Sequence, residues 1–214
     1  MISLIVTTDQ PSAMIKVIVI DLGGVLFAEG KSIAIDKLSR EYGYDRDLVR
    51  KILSSGQSMD LRKGLISDET FWNWVQKQIP QGYDAATIAK QWYDGYVLDQ
   101  EVLALIKALK GKYRLVAFSG NIRSRVQYLD QKYRFRKTFD LEIYSFDYHL
   151  TKPEGEFVEV MLRSVGCEPH EIVYVDDNQD YARPAADRGV NVVIYSTGEI
   201  DTLRIELRRL GVVW

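Results

Sequence analysis

Cysteine occurs once in these 214 residues, at Cys167, and histidine twice, at His149 and His170. A lone cysteine excludes an intrachain disulfide and suits a reducing compartment, where it serves as a small half-buried hydrophobe. Neither histidine stands at a suggestive spacing from an acid or a nucleophile, so both read as loop residues rather than ligands or bases. No apolar run approaches the roughly 20 residues that span a bilayer. The opening MISLIVTTDQPSA has no basic residue before Lys16 and only LIV as an apolar run, a poor signal peptide. It is expected to be an N-terminal extension over residues 1–13, with Met14 as an alternative start. A formal charge of −2 gives no general attraction to nucleic acid or to anionic membranes. Repeats and low-complexity tracts are absent, as are the glycine-rich nucleotide motifs G-x-G-x-x-G and G-x-x-x-x-G-K-[ST]. What remains is a cytoplasmic globular chain of ordinary composition, long enough for a core domain carrying a smaller one.

Four short, almost continuously apolar runs read as buried parallel strands: KVIVI (16–20), RLVAF (114–118), EIVYV (171–175) and VNVVIY (190–195). LEIYSF (141–146) is a weaker fifth. Helical patterns separate the later strands. In LDQEVLALIKALKGKY, Val102, Leu105, Ile106 and Leu109 share a face, Asp99 can cap the start and Gly111 the end. PEGEFVEVMLRSVG (153–166) starts with proline, carries two glutamates in its first turn and stops at glycine. This alternation predicts a doubly wound, Rossmann-like, mainly parallel α/β sheet. Residues 30–97 break the pattern. SIAIDKLSREYGY, RDLVRKILSS, SDETFWNWVQKQI and AATIAKQWYDGYV are all helical by spacing, which predicts an all-helical cap (30–97) inserted in a core of 14–29 and 98–214. Its aromatics Phe71, Trp72, Trp74, Trp92, Tyr93 and Tyr96 are expected mainly to form the cap's own core, with one or two free to stack on a sugar ring.

Polar groups follow directly behind the strands. VIVI ends in Asp21, RLVAF in Ser119, Gly120 and Asn121, and EIVYV in Asp176 and Asp177; Lys152 precedes the helix leading into the third of these. Open α/β sheets bind ligands beyond the carboxyl ends of their strands, so these groups should converge at one rim. Two carboxylates from different strands suit a hard cation such as Mg²⁺. A lysine, a hydroxyl and free loop amides suit a phosphate, and a carboxylate in line with phosphorus could attack it. The basic stretch NIRSRVQYLDQKYRFRK (121–137) reads as a solvated helix face, with Arg123 or Arg125 near enough to Ser119 to help hold an anion.

Asp21-Leu-Gly-Gly-Val, Ser119, Lys152-Pro153 and VYVDDNQDYARPAADRGV (173–190) resemble, in order, the four motifs of the haloacid dehalogenase-like (HAD) hydrolase superfamily. The resemblance also covers the helical cap between the first two motifs, and runs from residue 15 to about 195. It implies a Mg²⁺-dependent phosphatase working through an aspartyl-phosphate on Asp21, which is also a metal ligand. Asp177 corresponds to the metal-binding acid and Asp176 to its supporting neighbour. Ser119 and Lys152 correspond to the phosphate-binding hydroxyl and lysine, with Gly120 and Asn121 in the same loop. Asp180 either orients the metal shell or simply opens a helix.

Two departures stand out. The family often has asparagine where this chain has Gly120. Gly23 stands where most family phosphatases carry the general-acid aspartate; its carbonyl can still ligate metal, but no proton can come from it, and acid–base help is typically worth ~10²–10⁴-fold. The leaving group then needs little protonation, as with a sugar anomeric oxygen, or Glu29 or a cap residue supplies the proton, or turnover is lost. The resemblance to a DLGxV subgroup of sugar-phosphate phosphatases favours the first, a small phosphorylated metabolite with a sugar phosphate preferred. The alternatives are a silent phosphate-binding or interaction protein and, further off, a metal-independent haloacid dehalogenase, which would not be expected to keep the Asp176–Asp177 pair. A phospho-accepting signalling domain would carry its acid pair after the first strand.

Overall fold

The apolar runs become a single six-stranded sheet in the computed structural model of the chain, which describes residues 4–5 and 14–214. The strands are β1 (Leu4–Ile5), β2 (Val17–Ile20), β3 (Arg114–Ser119), β4 (Leu141–Tyr144), β5 (Ile172–Asp176) and β6 (Asn191–Ile194), in the spatial order β1-β6-β5-β2-β3-β4. Strands β2 to β6 are all parallel, and β1 adds antiparallel to β6. Apart from that short β1, the expected extension over 1–13 lies outside the described residues. β2 is flanked on both edges and covered on both faces, which is why VIVI carries no polar residue. The fifth run ends as a strand at Tyr144; Ser145 and Phe146 already belong to a short helix, because the Ser145 hydroxyl ties the turn to the loop after β3.

Five helices, α1 (Gly30–Tyr42), α2 (Arg46–Leu53), α3 (Gly56–Arg62), α4 (Asp68–Gln78) and α5 (Ala85–Asp94), form the insert between β2 and β3. The remaining helices, α6 (Gln100–Leu109), α7 (Arg123–Tyr133), α8 (Ser145–Tyr148), α9 (Gly155–Val165), α10 (Gln179–Ala186) and α11 (Ile200–Arg209), connect or follow the strands. The Asp99 carboxylate caps α6 by accepting the Glu101 and Val102 N–H groups, as its sequence suggests. α9 begins two residues later than its proline implied. Glu154 instead accepts the Thr151 N–H and hydroxyl, which folds Lys152-Pro153 into a turn, and left-handed Gly166 closes the helix.

One core cluster lies on the face covered by α9 and α10; the other, on the opposite face, runs without a break into the insert. Leu22, Leu26 and Phe27 below share it with Leu38, Ile52, Phe71, Val75 and Trp92 above. The insert therefore has no core to itself: Phe71 and Trp92 are buried in the shared cluster, while Trp72, Trp74 and Tyr93 pack against it half-buried. The chain enters and leaves the insert side by side. Ala28 N–H donates to Val97 O and Asp99 N–H to Leu26 O, each at 2.9 Å. No helix among the described residues is long and apolar enough to cross a membrane.

Candidate active site

The strand register delivers the site. Ile20 pairs with Ala117 and with Val175, so Asp21 and Asp176 leave the sheet level with Phe118, one residue before Ser119 ends β3. Asp21 is only 6% exposed, and its Oδ1 accepts the Leu22 N–H at 2.7 Å and meets Lys152 Nζ at 2.8 Å. Its Oδ2 makes no such contact among the described residues. Lys152 Nζ also reaches Asp176 Oδ2, at 2.7 Å. That oxygen takes the Tyr174 hydroxyl as well, and Asp176 Oδ1 accepts the Asn178 N–H at 2.8 Å. Both oxygens of Asp176 are thus engaged, with Lys152, Tyr174 and the following loop.

Asp177 stands at the exposed mouth, and one oxygen from each of Asp21, Asp176 and Asp177 lies within 4.8 Å of the others. Three carboxylates against one lysine leave an excess of negative charge. Burial, opposed by Lys152 but reinforced by Asp176, raises the Asp21 pKa to about 6. Burial together with the Asp21 and Asp176 charges raises Asp177 to about 7. Burial lowers Lys152, but the Asp176 and Asp21 charges outweigh it and carry the lysine above its ordinary value. An all-oxygen donor set with two uncompensated charges fits a divalent hard cation.

The glycines of the first motif have separate reasons. Gly24 is left-handed at φ 83°, and a Cβ there would stand 2.0 Å from Asp177 Oδ2. Its bare Cα is the floor on which the Asp177 carboxylate rests. Gly23 has no positive φ; a Cβ there would come 3.2 Å from Tyr96 Cε1 and 3.9 Å from its hydroxyl. A tyrosine from the end of the insert borders the space a side chain at 23 would use.

Ser119, 2% exposed, ends β3 with Asn121 Nδ2 at 3.5 Å from its hydroxyl. Asn121 is mostly committed elsewhere: its N–H goes to Ser145 Oγ at 3.1 Å, and its Oδ1 accepts from Ile122 N–H and Arg125 Nε. Its amide is therefore not among the free loop donors. Asp21, Gly23, Ser119, Gly120, Asn121, Lys152 and Asp177 line one cavity of about 390 Å³, so the expected groups converge. Asp180 does not join them. It is exposed, in the first turn of α10, where its N–H meets the capping Asn178 Oδ1. Glu29, Lys31, Ser32, Met59, Arg62 and Tyr96 supply the insert wall of the cavity. Of these only Glu29 and Tyr96 stand out in the sequence; Lys31 and Ser32 are detectable only as neighbours of Glu29. Three of the six basic residues in the stretch 121–137 are paired, Arg123 with Asp147, Lys132 with Asp94 and Arg136 with Glu142. Arg125 differs from the other five in being buried. Its guanidinium lies 4.1 Å from the Tyr96 ring centre, and Nη1 has no hydrogen-bond partner among the described residues.

Residues 15–189 match the haloacid dehalogenase-like hydrolase family. An uncharacterised protein of Dictyostelium discoideum is 39% identical over 219 residues, covering 88% of this chain and 94% of that protein. A HAD family enzyme of Bacteroides thetaiotaomicron, solved in complex with magnesium and inorganic phosphate, superposes with a TM-score of 0.75 at 23% identity over 86% of this chain and 96% of its own. A predicted HAD-like family hydrolase of Porphyromonas gingivalis gives 0.75 at 26% identity over 92% and 99%.

Proposed function

The chain belongs to the haloacid dehalogenase-like hydrolase family, and on that footing we propose that it is a magnesium-dependent phosphomonoesterase for a small phosphorylated metabolite. The observation that carries the proposal is the meeting of Asp21, Ser119, Lys152 and Asp177 around one cavity, although they are widely separated along the chain. The Bacteroides enzyme solved with magnesium and phosphate supports the choice of ligands. Asp21 Oδ2 attacks phosphorus, forming the aspartyl-phosphate while the bond to the ester oxygen breaks; water then cleaves the acyl phosphate. Lys152 and Ser119 hold the phosphoryl oxygens, with Lys152 fixed in place by Asp176. A divalent cation, held by Asp21, Asp177 and the Gly23 carbonyl, supplies neutralisation of phosphoryl charge when bound.

Gly23 brings no acid to the departing oxygen. A sugar 1-phosphate, whose anomeric oxygen leaves more readily than a simple alkoxide, suits such a site, in keeping with the DLGxV first motif. Glu29 lines the cavity, but its Oε2 is already taken by the Ser32 N–H at 2.8 Å. The missing acid also favours a second reading, a silent phosphate-binding protein. Phosphorylated metabolites should be screened with and without Mg²⁺, with Asp21→Asn as control. Mg²⁺-dependent release of phosphate that the control loses supports the phosphatase. A folded protein inactive on every ester refutes it, and metal-independent release of halide from a haloacid would mark a dehalogenase.

A further inference from the structure

We infer that the organic part of the substrate carries a second anionic oxyacid group, received at the insert wall of the cavity by Arg62. The inference rests on the phosphomonoesterase reading and narrows its substrate class. Arg62 ends α3, lines the cavity, and places its guanidinium 5.5 Å from the Trp92 ring centre. Arg125 packs on the same indole at 4.9 Å. Two guanidiniums therefore share one aromatic ring, and neither forms a salt bridge among the described residues. Burial lowers Arg125 to about 10, Tyr96 opposes that fall, and Arg62 deepens it, as adjacent like charges must. Lys31 joins Arg62 on the wall, its ammonium 3.5 Å from the Ser54 hydroxyl. The opposing acid is Glu29, one oxygen of which caps α1.

The two ends of the cavity thus have opposite requirements. Asp21, Asp176 and Asp177 against Lys152 leave two negative charges at the sheet, which a divalent ion matches. Arg62 and Lys31 against Glu29 leave one positive charge on the insert wall, and Arg125, buried on α7 against the same Trp92 ring as Arg62, adds to the positive field there. Arg62 is half-buried and forms no salt bridge among the described residues, so an anion arriving there gains a charge-assisted contact without first breaking an ion pair. A phosphoryl group seated against Asp21, Ser119 and Lys152 does not fill the space. About 390 Å³ is the share of roughly a dozen waters at about 30 Å³ each, enough for a short carbon skeleton joining two anions. Exposed Met59 and Tyr181 at the lining give that skeleton apolar contact.

The test compares kcat/KM for three esters on the full-length protein with Mg²⁺: glycerol phosphate, a phosphorylated hydroxy-acid and a sugar bisphosphate. Wild type should favour at least one of the two doubly anionic esters over glycerol phosphate by about 10- to 100-fold, chiefly through KM, as expected for a charge-assisted contact. The better of the two identifies a carboxylate or a phosphate as the second group. Arg62→Gln should bring the ratio towards one, and Arg62→Lys should restore part of it, which also guards against a folding defect. Equal losses on neutral and anionic esters would place Arg62 on the transferring phosphate and overturn the inference, as would a wild-type preference for glycerol phosphate. Inactivity of the wild type on every ester would instead remove the phosphomonoesterase reading beneath it.

Discussion

Gly24→Ala separates the metal site from the fold better than any change to a charged residue. At φ 83° an L side chain costs roughly 1–2 kcal/mol. The new methyl would also stand 2.0, 2.2 and 2.8 Å from Oδ2, Cγ and Cβ of Asp177. Ordinary contact needs about 3.4 Å or more; the carboxylate must swing away, and because no side-chain rotation moves Cβ, the backbone at Asp177 or Gly24 must also shift by a few tenths of an ångström. Without metal, that swing relieves repulsion between Asp177 and Asp21, which offsets part of the strain. The net loss in EDTA should be about 2 kcal/mol, or about 4–8 °C in melting temperature for a chain of this size. With Mg²⁺ the deficit should widen, because wild type gains binding free energy that the variant loses. Titration calorimetry should show Mg²⁺ affinity weakened by at least about tenfold. Gly23→Ala is the control. Its φ is not left-handed and its methyl meets only Tyr96 Cε1 at 3.2 Å, so its Mg²⁺ affinity should change far less. Wild-type Mg²⁺ affinity in folded Gly24→Ala would mean that Asp177 does not hold the ion.

Lys152→Met should destabilise the protein by about 3–5 kcal/mol in urea unfolding, because it strands the buried carboxylates of Asp21 and Asp176 without their shared cation. Since Asp21 and Asp177 have folded pKa values raised to about 6 and about 7, the folded state binds more protons than the unfolded one between about pH 4 and 7. Stability of the metal-free protein should therefore fall as pH rises through that window, and Mg²⁺ should flatten the slope; melting temperatures in EDTA that rise from pH 5 to 7.5 would contradict this. Gly23→Asp should speed hydrolysis of alkyl phosphates more than of sugar 1-phosphates, provided Tyr96 yields by a few tenths of an ångström; equal effects on both would remove the leaving-group argument.

The parallel sheet is readable from sequence because β2 and β5 are buried on both faces and so carry continuous apolar runs, each ending in an acid where the backbone leaves the sheet. The sheet half of the site follows from those endings. The insert half does not. α3 has too few apolar residues to show a helical period, and its start is set by Ser55, whose hydroxyl accepts the Ser58 N–H. Yet α3 delivers Met59 and Arg62 to the cavity. Arg125 sits in a stretch that looks uniformly solvated, and only the packing of α7 against α5 shows it to be buried while the other basic residues there are exposed. Asp180 illustrates the converse: a carboxylate near a motif has the same appearance in sequence whether it faces a ligand or opens a helix.

The neck between sheet and insert has a practical corollary. A Cβ on Gly30 would fall 2.0 Å from the Tyr96 ring, and one on Gly95 would fall 2.4 Å from the Gly30 carbonyl, so the two crossings touch with no side chain between them. A polypeptide that departs and returns through so narrow a waist offers natural splice points: residues between Ala28 and Val97 could be exchanged for another helical module without re-routing the strands. The graft would have to bring its own apolar underside for Leu22, Leu26 and Phe27, or their exposed surfaces would drive the recipient to aggregate.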